Sequence, residues 1–534
     1  MNQNCENHHI DGMTSESWDV RRLASRDWGI VVVLFLIALA MRLPFRSHFA
    51  YHWDSAQFAL AVREFDIRLS QPHAPGYFLY VMLGRLVNHF VGDPHASLVW
   101  ISVMFGSALP SLLYLLGTMM FGRRAGAAAA AMALTSPQIW FHSCVALTYI
   151  VDSFLVCAVV LVLWLAIQRG GRWWDAVAVG ALLAVLGGVR QQSVLELAPL
   201  VLFGFWRFQR ARAVKLAMTA IVAGGLGLLW FMPMVRMSGG LKAYLSIARL
   251  HASFNASATV WGNGWDALLQ NVANMTGFCL NGLMFATVVL VAALLHRAIR
   301  MTDEQKRAWD SQNALALQVL AIWIVPMMVF GTVVGFTKQP GYVLSYLPAM
   351  FLLTAVVVAS LKKPRHRSAT IMAICIVNVV SFVAWPALWD RVFFEMARTA
   401  HEIATHDADI SRIDAAIRKS YPPSEIVIGH AQEFYLYGIR IFQLHLPEYE
   451  QYQMATDSTV FTPPDKRMWR VRDGRLDFVE KPDLKGKKVM LLLVPPAEKV
   501  EIFAPYLSAK SMKAAIGGEC GLYFIPSAEV EIRR

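Results

Sequence analysis

Eleven apolar runs separated by short polar segments set the terms for everything else this chain can fold into. They cover residues 28–43, 96–120, 125–140, 153–167, 174–189, 194–206, 216–235, 276–295, 315–336, 342–361 and 369–389. Most approach the roughly 20 residues a helix needs to cross a hydrocarbon core about 30 Å thick. Of 534 residues, 56% are hydrophobic and 16% charged, which excludes an ordinary soluble enzyme and indicates a polytopic α-helical membrane protein. The formal net charge of +12 is gathered in clusters between the runs. That placement reads as membrane orientation and not as nucleic-acid binding. The six cysteines show no metal or disulfide spacing.

A further apolar segment, 77–91, holds Arg85, Asn88 and His89 on one helical face. Fifteen helical residues reach only about 22 Å, short of a crossing. Read as a helix lying in the interface, it leaves the basic clusters at 123–124, 169–172, 207–215, 297–307 and 362–367 on one side. The positive-inside rule makes that side cytoplasmic. The expectation is about 11 transmembrane helices, interfacial helices in the first outer loop, and an outer C-terminus. Residues 1–27 form a cytoplasmic tail, 28–390 the membrane domain with its first outer loop at 44–95, and 391–534 an outer α/β domain. Within that domain 391–419 reads as a helical stalk, and 426–429, 439–444, 488–494 and 521–525 read as short strands.

This topology puts several chemistry-bearing residues on the outer face. Asp54, in Tyr51-His52-Trp53-Asp54, fits two readings. One is a general base facing a cavity, because a carboxylate among aromatics is costly unless solvated or partnered. The other is the N-cap of a helix starting at Ser55. Asp152, at the lip of the 153–167 run, likewise fits either a substrate-positioning acid or a helix cap. Arg190, followed by Gln191, interrupts two apolar runs and reads as an anion site. Lys338, in Lys338-Gln339-Pro340-Gly341-Tyr342, fits a phosphate contact or a snorkelling lysine. His73 and Tyr77, around Ala74-Pro75-Gly76, fit phosphate or sugar contacts, or a turn with an interface aromatic. His52 and His251 are weaker candidates of the same kind, and no Asp-x-Asp or Cys/His cluster points to a metal.

Taken in order, these residues resemble the GT-C superfamily of polyprenyl-phosphate-sugar glycosyltransferases, which includes protein O-mannosyltransferases, oligosaccharyltransferases and aminoarabinose transferases. The similarity rests on His52-Trp53-Asp54-Ser55, His73-Ala74-Pro75-Gly76-Tyr77, Phe121-Gly122-Arg123-Arg124, Asp152, and Gln339-Pro340-Gly341-Tyr342 followed by Leu347-Pro348. The resemblance implies a bacterial enzyme of the inner membrane. Its N-terminus is cytoplasmic and its C-terminal domain periplasmic. It moves a sugar from a polyprenyl-phosphate donor to a hydroxyl acceptor with inversion, and the bilayer, not nucleic acid, is its other partner. Asp54 is then the base. His52, Trp53, His73, Tyr77, Asp152, Arg190, Gln191, Lys338, Gln339 and Tyr342 bind substrate. Two departures matter. Ser55 replaces the Glu of the mannosyltransferases, and no second acid stands two residues from Asp54. The second departure implies a metal-independent enzyme with no cofactor. A flippase for a lipid-linked or anionic substrate and a non-catalytic envelope scaffold are the alternatives.

Overall fold

The computed structural model describes residues 23–335, 339–384, 398–430, 438–453, 468–480, 482–487, 489–494, 513–516 and 521–526. Within the described residues each of the eleven apolar runs is helical or a broken helix. The membrane domain is α1 (Ser25–Arg42), α2 (Trp53–Arg63), α3 (Phe78–Val91), α4 (Pro94–Phe121), α5 (Arg123–Thr135), α6 (Pro137–His142), α7 (Tyr149–Gln168), α8 (Trp173–Val189), α9 (Gln191–Trp206), α10 (Arg212–Met237), α11 (Leu241–Asn255), α12 (Val260–Leu283), α13 (Phe285–Arg300), α14 (Asp303–Val334), α15 (Leu347–Ala359) and α16 (Pro364–Val383). Among the described residues six helices are long and apolar enough to cross a membrane singly, and α12 with α13 makes a seventh candidate. Helix α4 is buried along most of its length, packing against α1, α2, α3, α5 and α7. The Ala-rich α5 lies close upon it, an approach that small side chains permit.

The run at 276–295 is not one straight crossing. The chain breaks at Met284 (φ 49°, ψ −123°) and α13 leaves α12 at 102°. Hydropathy reads composition and not backbone direction, so a break between two apolar segments is invisible to it.

Helix α3 does not pass from one end of the bundle to the other. At the C-terminal end of α1, the Ser47 N–H donates to Cys144 O (2.8 Å), and Ser47 Oγ lies 3.5 Å from Nε2 of His95 in the first turn of α4. The segment holding α2 and α3 therefore leaves and returns at one end. At the opposite end Asp27 of α1 takes a two-pronged ion pair from Arg123 (2.8 and 2.7 Å) and a hydrogen bond from the Tyr114 hydroxyl (2.8 Å). The Arg123 cluster thus packs on the start of α1. Lys215 reaches Gly171 O likewise, joining the basic segments around α8 and α10.

The C-terminal domain has α17 (Ala400–Ser420), α18 (Ile439–His445) and strands β1 (Ile426–His430), β2 (Glu450–Gln453), β3 (Met468–Arg472), β4 (Arg475–Val479), β5 (Val489–Val494), β6 (Lys513–Ile516) and β7 (Gly521–Pro526). The described strands form one sheet in the order β4-β3-β2-β1-β5-β7-β6, with β1 parallel to β2 and β5 and the other pairs antiparallel. The strand expected at 439–444 is helix α18 instead. Strands β1 and β2 run parallel, so the chain between them must cross over, and α18 lies in that connection. Its residues from Ile439 to Leu444 are all buried, which erased the helical periodicity. The stalk survives as α17; its first residues, 391–397, lie outside the described set.

Candidate active site

Helix α2 begins at Trp53, and its cap is His52, not Asp54: the His52 Nδ1 accepts the Asp54 N–H at 3.1 Å. The Asp54 carboxylate is therefore spared capping work. It sits in the first turn, where the helix dipole favours an anion, with its side chain 22% exposed. His52 Nδ1 and His73 Nδ1 flank it, each 3.6 Å from one of its oxygens.

The two histidines are held by fixed partners. His73 Nδ1 lies 2.7 Å from Gln57 Oε1, so that nitrogen carries the proton, and Nε2 accepts from the Tyr77 hydroxyl at 3.1 Å. His73 also stacks on His251 with ring centroids 5.4 Å apart. The Gln339 amide lies 2.6 Å from His52 Nε2 and ties this loop to the one before α15. Burial drives both rings toward neutrality, His52 down to about 4 and His73 down to about 3.

Facing this group is Arg190, between α8 and α9. Its guanidinium is clasped by two aromatic faces, 4.5 Å from the Tyr149 ring centroid and 4.8 Å from that of Tyr342, and it donates to Thr148 Oγ1 at 3.2 Å. Cation–π attraction is worth ~2 kcal/mol or more when desolvated. Tyr342 reaches this position on a 3₁₀ turn, Pro340–Ser345, that precedes α15. The turn is anchored by Trp323, whose Nε1–H donates to Ser345 O at 2.9 Å. A Cβ on Gly341 would run into the Tyr149 ring, so only glycine lets the two tyrosines close on the arginine. Tyr77, Tyr149 and Tyr342 all lie within electrostatic reach of both Asp54 and Arg190.

Asp152 is buried in the first turn of α7, acted on by the Arg190 charge and Ser193, and its Oδ1 has no hydrogen-bond partner. Gln191 Nε2 donates to Pro75 O at 3.4 Å and stitches α9 to the turn before α3. Trp53 points elsewhere: it is buried with Ile439, Trp469, Val471 and Leu476 of the C-terminal domain. Lys338 lies outside the described residues.

Two members of the site escaped sequence reasoning. Tyr149 has only its neighbour Asp152 to mark it. Glu196 is buried in α9, accepts from Gln192 at 3.4 Å, and lines a narrow cavity with Met275, Met327, Phe330, Tyr342 and Ser345. An ionisable residue inside an apolar run was the signal that could have found it. Among the described residues no three His, Cys, Asp or Glu side chains gather as a metal cage.

Comparison with known proteins bears on the fold. Residues 73–236 match the family model described as dolichyl-phosphate-mannose-protein mannosyltransferase. No curated protein matches the chain. Among solved structures, ArnT from Cupriavidus metallidurans bound to undecaprenyl phosphate aligns over 96% of this chain and 100% of its own, at 15% identity and a TM-score of 0.56. Its apo form aligns over 95% and 100%, also at 15% identity and 0.56. The chain has a GT-C fold. An oligosaccharyltransferase from Archaeoglobus fulgidus is 14% identical over 76% of this chain and 62% of its own, at a TM-score of 0.44. The stretch matching the mannosyltransferase model starts at His73 and takes in Tyr77, Asp152, Arg190 and Gln191.

Proposed function

We propose that this GT-C protein is an inverting glycosyltransferase that uses a polyprenyl-phosphate sugar. The observation that carries the reading is the pairing of an acid relieved of capping work, Asp54, with a guanidinium caged by two tyrosine rings, Arg190, both within electrostatic reach of Tyr77, Tyr149 and Tyr342. The ArnT structure holds undecaprenyl phosphate, and a similar lipid phosphate suits Arg190 here. Asp54 takes the proton of the acceptor hydroxyl as its oxygen bonds to the anomeric carbon. The bond from that carbon to the phosphate oxygen breaks, and the phosphate leaves with the electron pair. A positioned base typically contributes about 10²–10⁴-fold. Arg190 stabilises the departing phosphate, with Lys338 as the second cation of this reading. Phosphate leaves readily, so no general acid is needed. His73, Tyr77, Asp152, Gln191, Gln339 and Tyr342 shape the donor and acceptor positions, and His52 orients Asp54. Trp53 acts through its packing on the outer domain.

In this reading the site faces the periplasm, the basic ends of α4, α8 and α10 face the cytoplasm, and the chain divides near 27 and 390 as the charge pattern indicates. The chemistry is metal-independent, because Ser55 and Ala56 follow Asp54 where a second acid would stand. A chelator should accordingly leave the rate unchanged.

The test is native mass spectrometry of the purified protein joined to a transfer assay. The wild type should carry a polyprenyl phosphate or its sugar adduct. Asp54→Asn should keep that adduct and lose transfer by at least about 10²-fold. Full transfer by Asp54→Asn overturns the base, and direct use of a nucleotide sugar overturns the donor. A flippase would move the lipid without transfer, and a scaffold would tolerate both Asp54→Asn and Arg190→Gln.

A further inference from the structure

The segment that delivers Asp54 has no secondary structure of its own from residue 46 to residue 52, so its backbone donors need partners from elsewhere. The Ser47 N–H goes to Cys144 O, and the next three donors go to the C-terminal domain. The Asp407 carboxylate of α17 accepts the His48 N–H at 2.7 Å through Oδ2 and the Phe49 N–H at 3.1 Å through Oδ1. The same Oδ2 lies 3.2 Å from His48 Nδ1. The next donor, the Ala50 N–H, goes to Nε2 of His445 in α18 at 3.3 Å. The Tyr51 hydroxyl then donates to Glu402 Oε2 at 3.1 Å. His52 is met by Gln339, and Trp53 packs beside Trp469 with ring centroids 6.1 Å apart. Farther along the first loop, Arg440 of α18 donates to Leu69 O. Every residue from His48 to Trp53 is thus held by a partner distant in sequence, and Asp54 is the first residue beyond the grip.

We propose that the C-terminal domain is a positioning element of the reaction, acting through the Asp407 and His445 grip on residues 48–50 to fix where the Asp54 carboxylate stands. This rests on Asp54 being the base proposed above. Asp407 and His445 bond to the backbone of residues 48–50 and act on Asp54 through it, so they are positioning residues. Loss of reacting geometry by about 1 Å can cost on the order of 10²-fold in rate. The structural alternative is that these bonds only fasten one domain to the other, in which case the chemical step is indifferent to them.

The experiment compares wild type, Asp407→Asn, Asp407→Ala, His445→Gln and His445→Leu in the full-length protein. Hydrogen exchange of a peptide covering residues 46–54 reads the grip without any assay of activity. Steady-state transfer then separates kcat from donor KM. Asp407→Ala and His445→Leu should raise exchange at 48–50 at least about tenfold and lower kcat by about 10–100-fold, with donor KM within about twofold. His445→Gln keeps an acceptor and should restore most of both readouts, and Asp407→Asn should fall between wild type and Asp407→Ala. Unchanged exchange in Asp407→Ala overturns the grip. Raised exchange with unchanged kcat overturns its role in positioning. A loss spread equally over kcat and donor binding, with the co-purifying lipid gone, assigns the bonds to domain attachment and also overturns it. If Asp54→Asn keeps full transfer, the base assignment fails while the exchange result stands.

Discussion

A guanidinium held between two tyrosine rings cannot be replaced by just any cation. Arg190 offers a flat, delocalised face to Tyr149 and Tyr342 and keeps edge donors for an anion, whereas a lysine offers a compact point charge on a flexible stem. Arg190→Lys should therefore retain lipid-phosphate binding but misplace it. Arg190→Gln removes the charge altogether and should cost on the order of 10²–10³ in kcat, the loss typical of deleting one donor to a developing anion. Gly341→Ala reaches the same cage without touching the charge. Its added methyl meets the Tyr149 ring, so kcat should fall while the total charge of the site stays the same. Steady-state kinetics on the three variants checks this, and wild-type kcat in Gly341→Ala would mean that the cage is not needed in its closed form. Asp54 shows how far single residues were legible. Its aromatic neighbours and its place just after the first apolar run marked it in the sequence, but whether it capped α2 depended on where the helix starts, and that boundary is set by the His52 ring.

At the level of elements, α3 holds the end of α2, the helix that carries Asp54. Arg85 donates to the carbonyls of Val62 (3.0 Å) and Ala61 (3.1 Å), two of the acceptors left open at the end of α2. Gly84 is the crossing point. A Cβ there would come within 2.7 Å of Leu98 in α4 and 2.8 Å of Val62 in α2. Gly84→Val should push α3 off both helices, at about the 1–3 kcal/mol typical of overpacking. It should lower the melting temperature and, because α2 carries Asp54, the rate. A wild-type melting curve for Gly84→Val would show that the contact gives way. The non-crossing role of α3 was readable from its length and from the basic clusters, because both report on the membrane. What sequence could not show was direction: the break at Met284 and the helix α18 each follow from neighbours that pattern alone does not reveal.

Over the whole molecule, the docking of the C-terminal domain was the least legible feature, since Asp407 and His48 are 359 residues apart and joined by hydrogen bonds that no local pattern encodes. The folded chain also buries imidazoles, with a measurable consequence. Outside the membrane-spanning helices, burial lowers His52, His251 and His430 to about 4 and His73 and His445 to about 3. Between the ordinary histidine value of about 6.5 and these values, the unfolded chain binds a proton that the native chain refuses. Stability therefore falls as pH drops through that window, by up to ~1.4 kcal/mol per pH unit for each such imidazole. Asp414 opposes this: burial raises it to about 7, so its contribution is lost as pH rises from about 4 to 7. Five imidazoles outweigh one carboxyl, and the melting temperature in detergent should be lower at pH 5 than at pH 7. His445→Gln should flatten that dependence, because it deletes one buried imidazole while keeping an acceptor for the Ala50 N–H. A melting temperature that rises on acidification would mean that these rings already carry their protons in the folded protein, and then neither His52 as the cap of α2 nor His445 as an acceptor for the loop could hold Asp54 in place.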